Sequence, residues 1–267
     1  MTTPLWRRPI WLLGHVIALT ACVTFVRLGI WQLDRLDERR ERNAVVESRS
    51  TGEPVDALSV VRDEDAQYRR VVAEGRWMPD GEITIRNRTL QGSVGRHVVT
   101  PLELADGSWL YVNRGWVPVD VRPPPPCEAE ESVEGVLRAS ETRRSIGPRD
   151  PSDGVLTELN RVDLGRLQAQ VDAEVVPVWL QLESSSAMRA GCNDELPIPL
   201  DPLPLDEGPH LSYAMQWFLF TAVVGIGYPL LLRRRIAQSD EGGEPAVDGE
   251  HLAGDVAGVV GQQEHDG

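Results

Sequence analysis

The chain has 267 residues, 41% of them hydrophobic, with 41 acidic against 27 basic side chains and a formal net charge of −14. That balance, with no basic patch interleaved with aromatics, excludes a nucleic-acid partner held through its phosphates. The length leaves room for one domain with a real core once the strongly apolar ends are set aside.

Two apolar spans frame the sequence, residues 10–31 and 210–232, each about the ~20 residues a helix needs to cross ~30 Å of hydrocarbon. Arg7 and Arg8 precede the first span, and Arg233, Arg234 and Arg235 follow the second. The positive-inside rule therefore predicts both termini in the cytoplasm and residues 32–209 outside, in a plasma membrane whose lipid is the first partner. Residues 1–9 form the cytoplasmic N-terminus. Leu19-Thr20-Ala21-Cys22 resembles a lipoprotein processing box, but the apolar run continues to Trp31 and no A-x-A site follows, so an uncleaved anchor is expected. Beyond Trp31, residues 32–42 keep helical spacing with acidic residues a turn from arginines, so the first helix is expected to project past the membrane.

Strand signals come next, at Tyr68–Met78, Glu82–Leu90, Arg96–Leu104 and Trp109–Val117. Asp80-Gly81 and Asp106-Gly107 supply turn chemistry between the first and last pairs, predicting a meander of two hairpins. Glu131–Arg138 and Val175–Glu183 read as two further strands, and Leu159–Val171 as a helix. Pro123–Pro126 is extended, and residues 193–209, with five prolines, read as a semi-rigid strap into the second span. The fold class is thus a membrane protein: two transmembrane α-helices flanking one α+β, mainly antiparallel β, extracytoplasmic domain. After Arg235 there are eight acidic residues and no basic one, so residues 233–267 read as a cytoplasmic acidic tail, disordered from 237.

Enzyme signatures are absent: no Gly-rich phosphate loop, no G-x-S-x-G, no H-E-x-x-H. An outer-face hydrolase would lack a nucleophile and base. Cys127 and Cys192 form no C-x-x-C pair, which leaves a disulfide between them unsupported and a thiolate metal site unindicated. Ionisable groups at membrane depth are costly and call for partners, which singles out His15 and His210. The 16 residues from His15 to Trp31 rise ~24 Å, so the two imidazoles sit at different depths and cannot share a small cofactor. Arg27 could face His210 at the outer end, or snorkel to headgroups while His210 is an ordinary interfacial residue. An imidazole ligand for haem iron with an arginine near the propionates is the alternative that gives the pair a task.

Three local sequences now become recognisable: Gly29-Ile30-Trp31-Gln32-Leu33-Asp34-Arg35, Val112-Asn113-Arg114-Gly115-Trp116-Val117-Pro118, and His210-Leu211-Ser212-Tyr213-Ala214-Met215-Gln216-Trp217-Phe218. With Gly75-Arg76-Trp77, Arg86-Asn87-Arg88 and the run from Gly95 to Leu102, they make residues 10–235 resemble the Surfeit locus protein 1 family, in a bacterial form. The resemblance implies an assembly factor for haem-copper cytochrome c oxidase that binds haem a and assists its insertion, with the oxidase catalytic subunit and haem a synthase as partners and no reaction of its own. It places His210 at the position linked to haem a binding, and the shared level of the two helix ends adds Arg27, Gln32, Tyr213 and Trp217 around the cofactor, with His210 as the expected ligand of its iron. Trp31, Arg35, Arg114, Gly115 and Trp116 become motif or partner-contact positions. The basic residue usual after the first motif is here Arg39 or Arg40, and the acidic tail looks like an addition. Structural roles compete with these. Trp31 and Trp217 suit an aromatic belt, and Asn113-Arg114-Gly115-Trp116 could be a strand end with a bulge, Gly giving freedom and Trp filling the core. A membrane-tethered scaffold or accessory module of the oxidase without haem would fit the same residues.

Overall fold

A computed structural model describes residues 8–126, 130–143, 147–183 and 196–241, and the side chains among them up to 238. The chain divides into two compact units: residues 1–33 with 210–267, and residues 34–209. Cys127, Cys192 and most of the acidic tail lie outside the described residues.

The first unit is a helix pair. Helix α1 spans Pro9–Ser50, its later part belonging to the second unit, and helix α4 spans His210–Glu241. Both are long and apolar enough to cross a membrane. Contacts of Gln32 with His210, Phe25 with Trp217, Cys22 with Thr221 and His15 with Tyr228 run in opposite sequence directions, so the helices are antiparallel. The side chains that α4 turns inward, His210, Ala214, Trp217, Thr221, Val224 and Tyr228, recur in alternating steps of four and three residues, the spacing of one packed helix face. Leu12, Val16, Leu19, Val23 and Ile30 on α1, and Leu211, Leu219, Val223 and Ile226 on α4, are exposed instead. Large apolar groups outside and smaller or polar ones at the seam are the pattern of helices solvated by lipid. Helix α4 continues to Glu241, so residues 237–241 are helical where the composition predicted disorder. The good helix formers Ala237 and Gln238 simply prolong a helix already nucleated upstream.

The second unit is a mixed sheet. Its strands are β1 (Val55–Asp56), β2 (Arg70–Trp77), β3 (Ile83–Leu90), β4 (Ser93–Glu103), β5 (Trp109–Pro118), β6 (Glu130–Ala139), β7 (Glu158–Leu159) and β8 (Val178–Leu182), ordered β1-β2-β6-β8-β5-β4-β3-β7. Strand β2 also pairs with β4, through Arg76 with Glu103 and Trp77 with Leu102, so β2, β6, β8, β5 and β4 close into a ring. Closure removes exposed edges from those five strands. Alternate residues of all five, including Val71, Ala73, Leu102, Leu110, Val112, Val133, Leu137 and Leu180, form one buried cluster with Ala57 and Val60 of the short helix α2 (Ala57–Val60). The opposite alternation, Val99, Tyr111 and Trp179, joins Ile83, Ile85, Leu159, Val162 and residues of helix α3 (Leu164–Gln168) in a second cluster. Strand β5 is therefore buried on both faces.

Several expectations change here. Asp80-Gly81 lies in a 3-10 turn over Pro79–Gly81 and joins no hairpin, because β2 pairs with β1, β6 and β4 rather than β3. The hairpin ahead of β4 is β3–β4, turned at Gln91 and Gly92, both at positive φ; Asp106-Gly107 does turn β4 into β5. The helix expected over Leu159–Val171 shrinks to Leu164–Gln168. Asp163 caps it by accepting from Arg166 N at 3.1 Å, while Leu159 pairs with Ile85 in β7. Leu159, Val162, Leu164 and Leu167 share one cluster, so their spacing reflected a common burial site and not one continuous helix.

A bulge in β5 organises the strand's end. The register with β4 passes from Val98–Gly115 to Val99–Asn113, leaving Arg114 as the extra residue. Its side chain is fully buried, donating from Nε to Thr100 Oγ1 at 2.9 Å and from Nη2 to Glu82 Oε2 at 2.8 Å and Pro124 O at 2.7 Å. Gly115 follows at φ +134°, and a Cβ there would lie 2.4 Å from Ile198 O. That close approach lets Ile198 bridge Trp116, with N–H···O bonds of 2.7 and 2.8 Å in both directions. Gly115→Ala is expected to cost about 2–3 kcal/mol in unfolding free energy, from strain and the lost bridge. Arg114→Leu is expected to cost about 3 kcal/mol by leaving Glu82 without its charge partner and only Thr100 Oγ1 to donate to it. Denaturant titration of the full chain in detergent checks both.

Candidate functional site

His210 opens α4, directly after the strap's last proline, and its Nδ1 lies 2.9 Å from Gln32 Oε1 on α1. Because an amide oxygen can only accept, Nδ1 carries the proton and Nε2 keeps its lone pair. Nε2 bonds to no described residue. One turn further along α4, Ala214 is fully buried, and Gly29 of α1 lies against Phe218, where a Cβ would sit 2.7 Å from the ring. Small residues at this level let the backbones approach. Deeper, Trp217 stacks on Phe25 with centroids 5.6 Å apart, and Phe220 meets both rings at 5.8 and 5.9 Å.

Of the residues expected around a cofactor, the structure brings together His210 and Gln32, with Trp217 on the same seam. Tyr213 is exposed beside the seam. Arg27 is exposed too, about 200° around the helix from both Phe25 and Gly29, and the partner at His210's own level is Gln32. Trp31 is 48% exposed at the C-terminal end of the first span, as an interfacial tryptophan would be. Arg35 pairs with Glu38 on its own helix. Phe25, Phe220, Gly29 and Ala214 were not anticipated. The recurrence of Gly14, Ala18, Ala21, Gly29 and Ala214 at seam spacing is the signal that could have found them. His15 has its own partner, Tyr228, whose hydroxyl lies 2.7 Å from Nδ1, so the two histidines are paired at different levels of the seam.

The SURF1 family model matches residues 19–222, most of the chain. The chain belongs to the SURF1 family. An uncharacterised SURF1-like protein of Mycobacterium tuberculosis is 28% identical over 254 residues, covering 90% of this chain and 91% of the relative. A SURF1-like protein of Rickettsia bellii is 27% identical, covering 80% and 90%, and Surfeit locus protein 1 of Xenopus tropicalis is 26% identical, covering 77% and 71%.

The matched span takes in the barrel and the adjoining parts of both helices, so each motif of this SURF1 chain can be given a physical role. Arg114 and Gly115 build the bulge, and Trp116, 4% exposed, donates from Nε1 to Arg88 O at 3.0 Å. These three serve the barrel itself. Arg39 and Arg40 do not simply support their own helix: Arg39 reaches Asp206, and Arg40 grips Glu207 with two bonds of 2.8 and 3.0 Å. Asn43 donates to Leu205 O at 2.7 Å, so the strap is fastened at this end as well as at Ile198. Exposed pairs of this kind contribute little each, but together they fix where the strap runs.

His97 on β4 has its pKa pushed down to about 4, first by burial and then by the nearby Arg88 charge. A base whose folded pKa is depressed resists protonation when folded and accepts it when unfolded, near pH ~6.5. Stability is therefore whole above about pH 6.5 and is lost as pH falls towards about 4. The thermal midpoint of the full chain is expected to drop between about pH 6.5 and pH 5, and His97→Gln to flatten that slope. An unchanged slope would assign the acid sensitivity elsewhere.

Proposed function

We propose that this protein is a membrane-bound assembly factor for haem-copper cytochrome c oxidase, in which His210 ligates the iron of haem a during delivery to the catalytic subunit. Membership of a family known for cytochrome oxidase assembly supports the broader part of this reading. The His210–Gln32 hydrogen bond carries the finer part. Metal-bound histidines characteristically donate their other ring N–H to an oxygen, which fixes the tautomer and raises the basicity of the ligating nitrogen. Gln32 provides that acceptor, on a different helix, before any metal is bound.

The donor set fits a haem: an oriented imidazole at the end of an apolar helix pair, with Trp217, Phe25 and Phe220 as flat apolar surface nearby. Haem a would bring the iron that His210 coordinates. Within the chain, Gln32 holds His210, the Gly29–Phe218 contact sets the helix approach, and Tyr213 and Arg27 offer a hydroxyl and a cation on exposed faces. Binding and handover need no nucleophile, in keeping with the absence of catalytic motifs. Antiparallel pairing puts Arg8 and Arg233–Arg235 at one end of the unit and His210 at the other. That arrangement supports a two-pass topology with both termini in the cytoplasm and His210 at the outer face. Haem a synthase is the natural donor and the oxidase catalytic subunit the acceptor.

Purification from cells making haem a is expected to give a haem spectrum, absent in His210→Ala. Gln32→Leu should weaken haem retention by about 10- to 100-fold and shift the midpoint potential upward, since a less basic imidazole stabilises ferric iron less. Equal haem in His210→Ala and wild type would overturn the ligand assignment. Loss of the gene should lower oxidase activity and its haem a content and spare other cytochromes. A full haem a complement in that strain, with a poorly assembled oxidase, would point to a scaffold without haem contact.

A further inference from the structure

The barrel carries a row of polar side chains across five neighbouring strands: Arg88 on β3, His97 on β4, Asn113 on β5, Gln181 on β8 and Arg138 on β6. All five line one cavity of about 220 Å³, together with Glu141, Trp179 and Leu200. It plays no part in the helix-pair site above.

The hydrogen bonds within the row leave its free groups almost all donors. Asn113 Oδ1 accepts from Gly115 N at 3.1 Å, so its amide nitrogen is the end that meets His97 Nδ1 at 3.3 Å. Nδ1 is then the acceptor, and the ring proton of His97 sits on Nε2, which bonds to no described residue. Arg88 uses Nη2 on Asn160 O, while its buried Nε has no partner among the described residues. Arg138 donates Nη1 to the neutral amide of Gln181 and lies over the rings of Tyr68 and Trp179, at 6.0 and 5.4 Å, with no carboxylate in hydrogen-bond contact among the described residues. Glu141 is the acidic residue of the wall. It stands 3.6 Å from Arg88 Nη2 and acts on Arg138 only at a distance. Two guanidiniums against one carboxylate leave a single uncompensated positive charge. The depressed pKa of His97 agrees with this, because the ring stays a neutral donor beside that charge.

We propose that this cavity binds a small monocarboxylate with an apolar body. One negative charge balances the wall, whereas a dianionic phosphate would overshoot it. The carboxylate accepts from His97 Nε2 and from the guanidiniums of Arg88 and Arg138, in charge-assisted bonds of the strong class. Trp179, Val162 and Leu200 supply the apolar side of the cavity for the ligand's body. A cavity of ~150 Å³ is enough to take benzene, so this one has room for a ligand of benzoate size.

Sodium benzoate is the probe, with benzyl alcohol as its neutral isostere and inorganic phosphate as the competing oxyanion. The full chain in detergent near neutral pH is followed through the His97 ring resonance, assigned by its loss in His97→Gln, and by calorimetry. Benzoate is expected to shift that resonance saturably, while benzyl alcohol and phosphate leave it in place. Arg88→Gln and Arg138→Gln should each weaken benzoate at least tenfold with the melting temperature kept. If either variant fails to fold, the wild-type resonance still decides the matter. An unmoved His97 signal at saturating benzoate overturns the site, and an equal response to phosphate overturns the monocarboxylate assignment. Neither outcome touches the haem reading, whose own test is the His210→Ala spectrum.

Discussion

Everything in the barrel unit is referred to the bulge at Asn113–Gly115. Strand β5 is buried on both faces, so an extra residue in it has nowhere to go but inward. Arg114 goes inward and is satisfied there by Glu82, Thr100 and a carbonyl of the proline run, which ties together β3's approach, β4 and the segment after β5. Gly115, the next residue, accepts a φ that other residues avoid and so admits the strap at Ile198. The same Asn113 that starts the bulge also sets the tautomer of His97 through its amide. One irregularity thus orients a core, a strap and a polar cavity.

The helix pair answers to a different constraint. Its outward side chains are large and apolar, and hydrocarbon is the solvent that suits them. Association between such helices gains nothing from the hydrophobic effect, so the seam relies on close approach and polar pairs. Gln32 with His210 and His15 with Tyr228 are those pairs, at opposite ends of the seam. They differ in what they leave over. A hydroxyl can both donate and accept, so Tyr228 does not dictate which nitrogen of His15 holds the proton, whereas the Gln32 amide oxygen only accepts. The Gln32 contact fixes the proton of His210 on Nδ1, and that fixed tautomer is why ligation is proposed at that end.

Much of this was legible because it rests on local patterns. Length and apolarity alone mark the two spans, and β-branched alternation marks six strands close to their observed limits. The resemblance in Gly29–Arg35, Val112–Pro118 and His210–Phe218 pointed to the family that residues 19–222 match. The misreadings share one cause. Asp80-Gly81 has hairpin chemistry, but β2's partners lie far along the chain, and a local signal cannot name them. Leu159 to Leu167 has helical spacing only because its members converge on one cluster from a strand, a turn and a short helix. Arg39 and Arg40 looked like surface charges of a helix, and their carboxylates turned out to be 167 residues away.

Length and hydrophobic period dictate what each segment must be solvated by: lipid for residues 10–31 and 210–232, and a packed interior for the alternating strands. Hydrophobic period and length are properties of a segment alone, so they survive without a partner. Which segments meet was decided only in three dimensions. The closure of β2 on β4, the choice of Gln32 over Arg27 for His210, and the gathering of Arg88, His97 and Arg138 around one cavity each join residues distant in the chain. Such pairings depend on register and on which face a residue occupies, and a shift of one position in a strand, or of about 200° around a helix, moves a side chain to the other side.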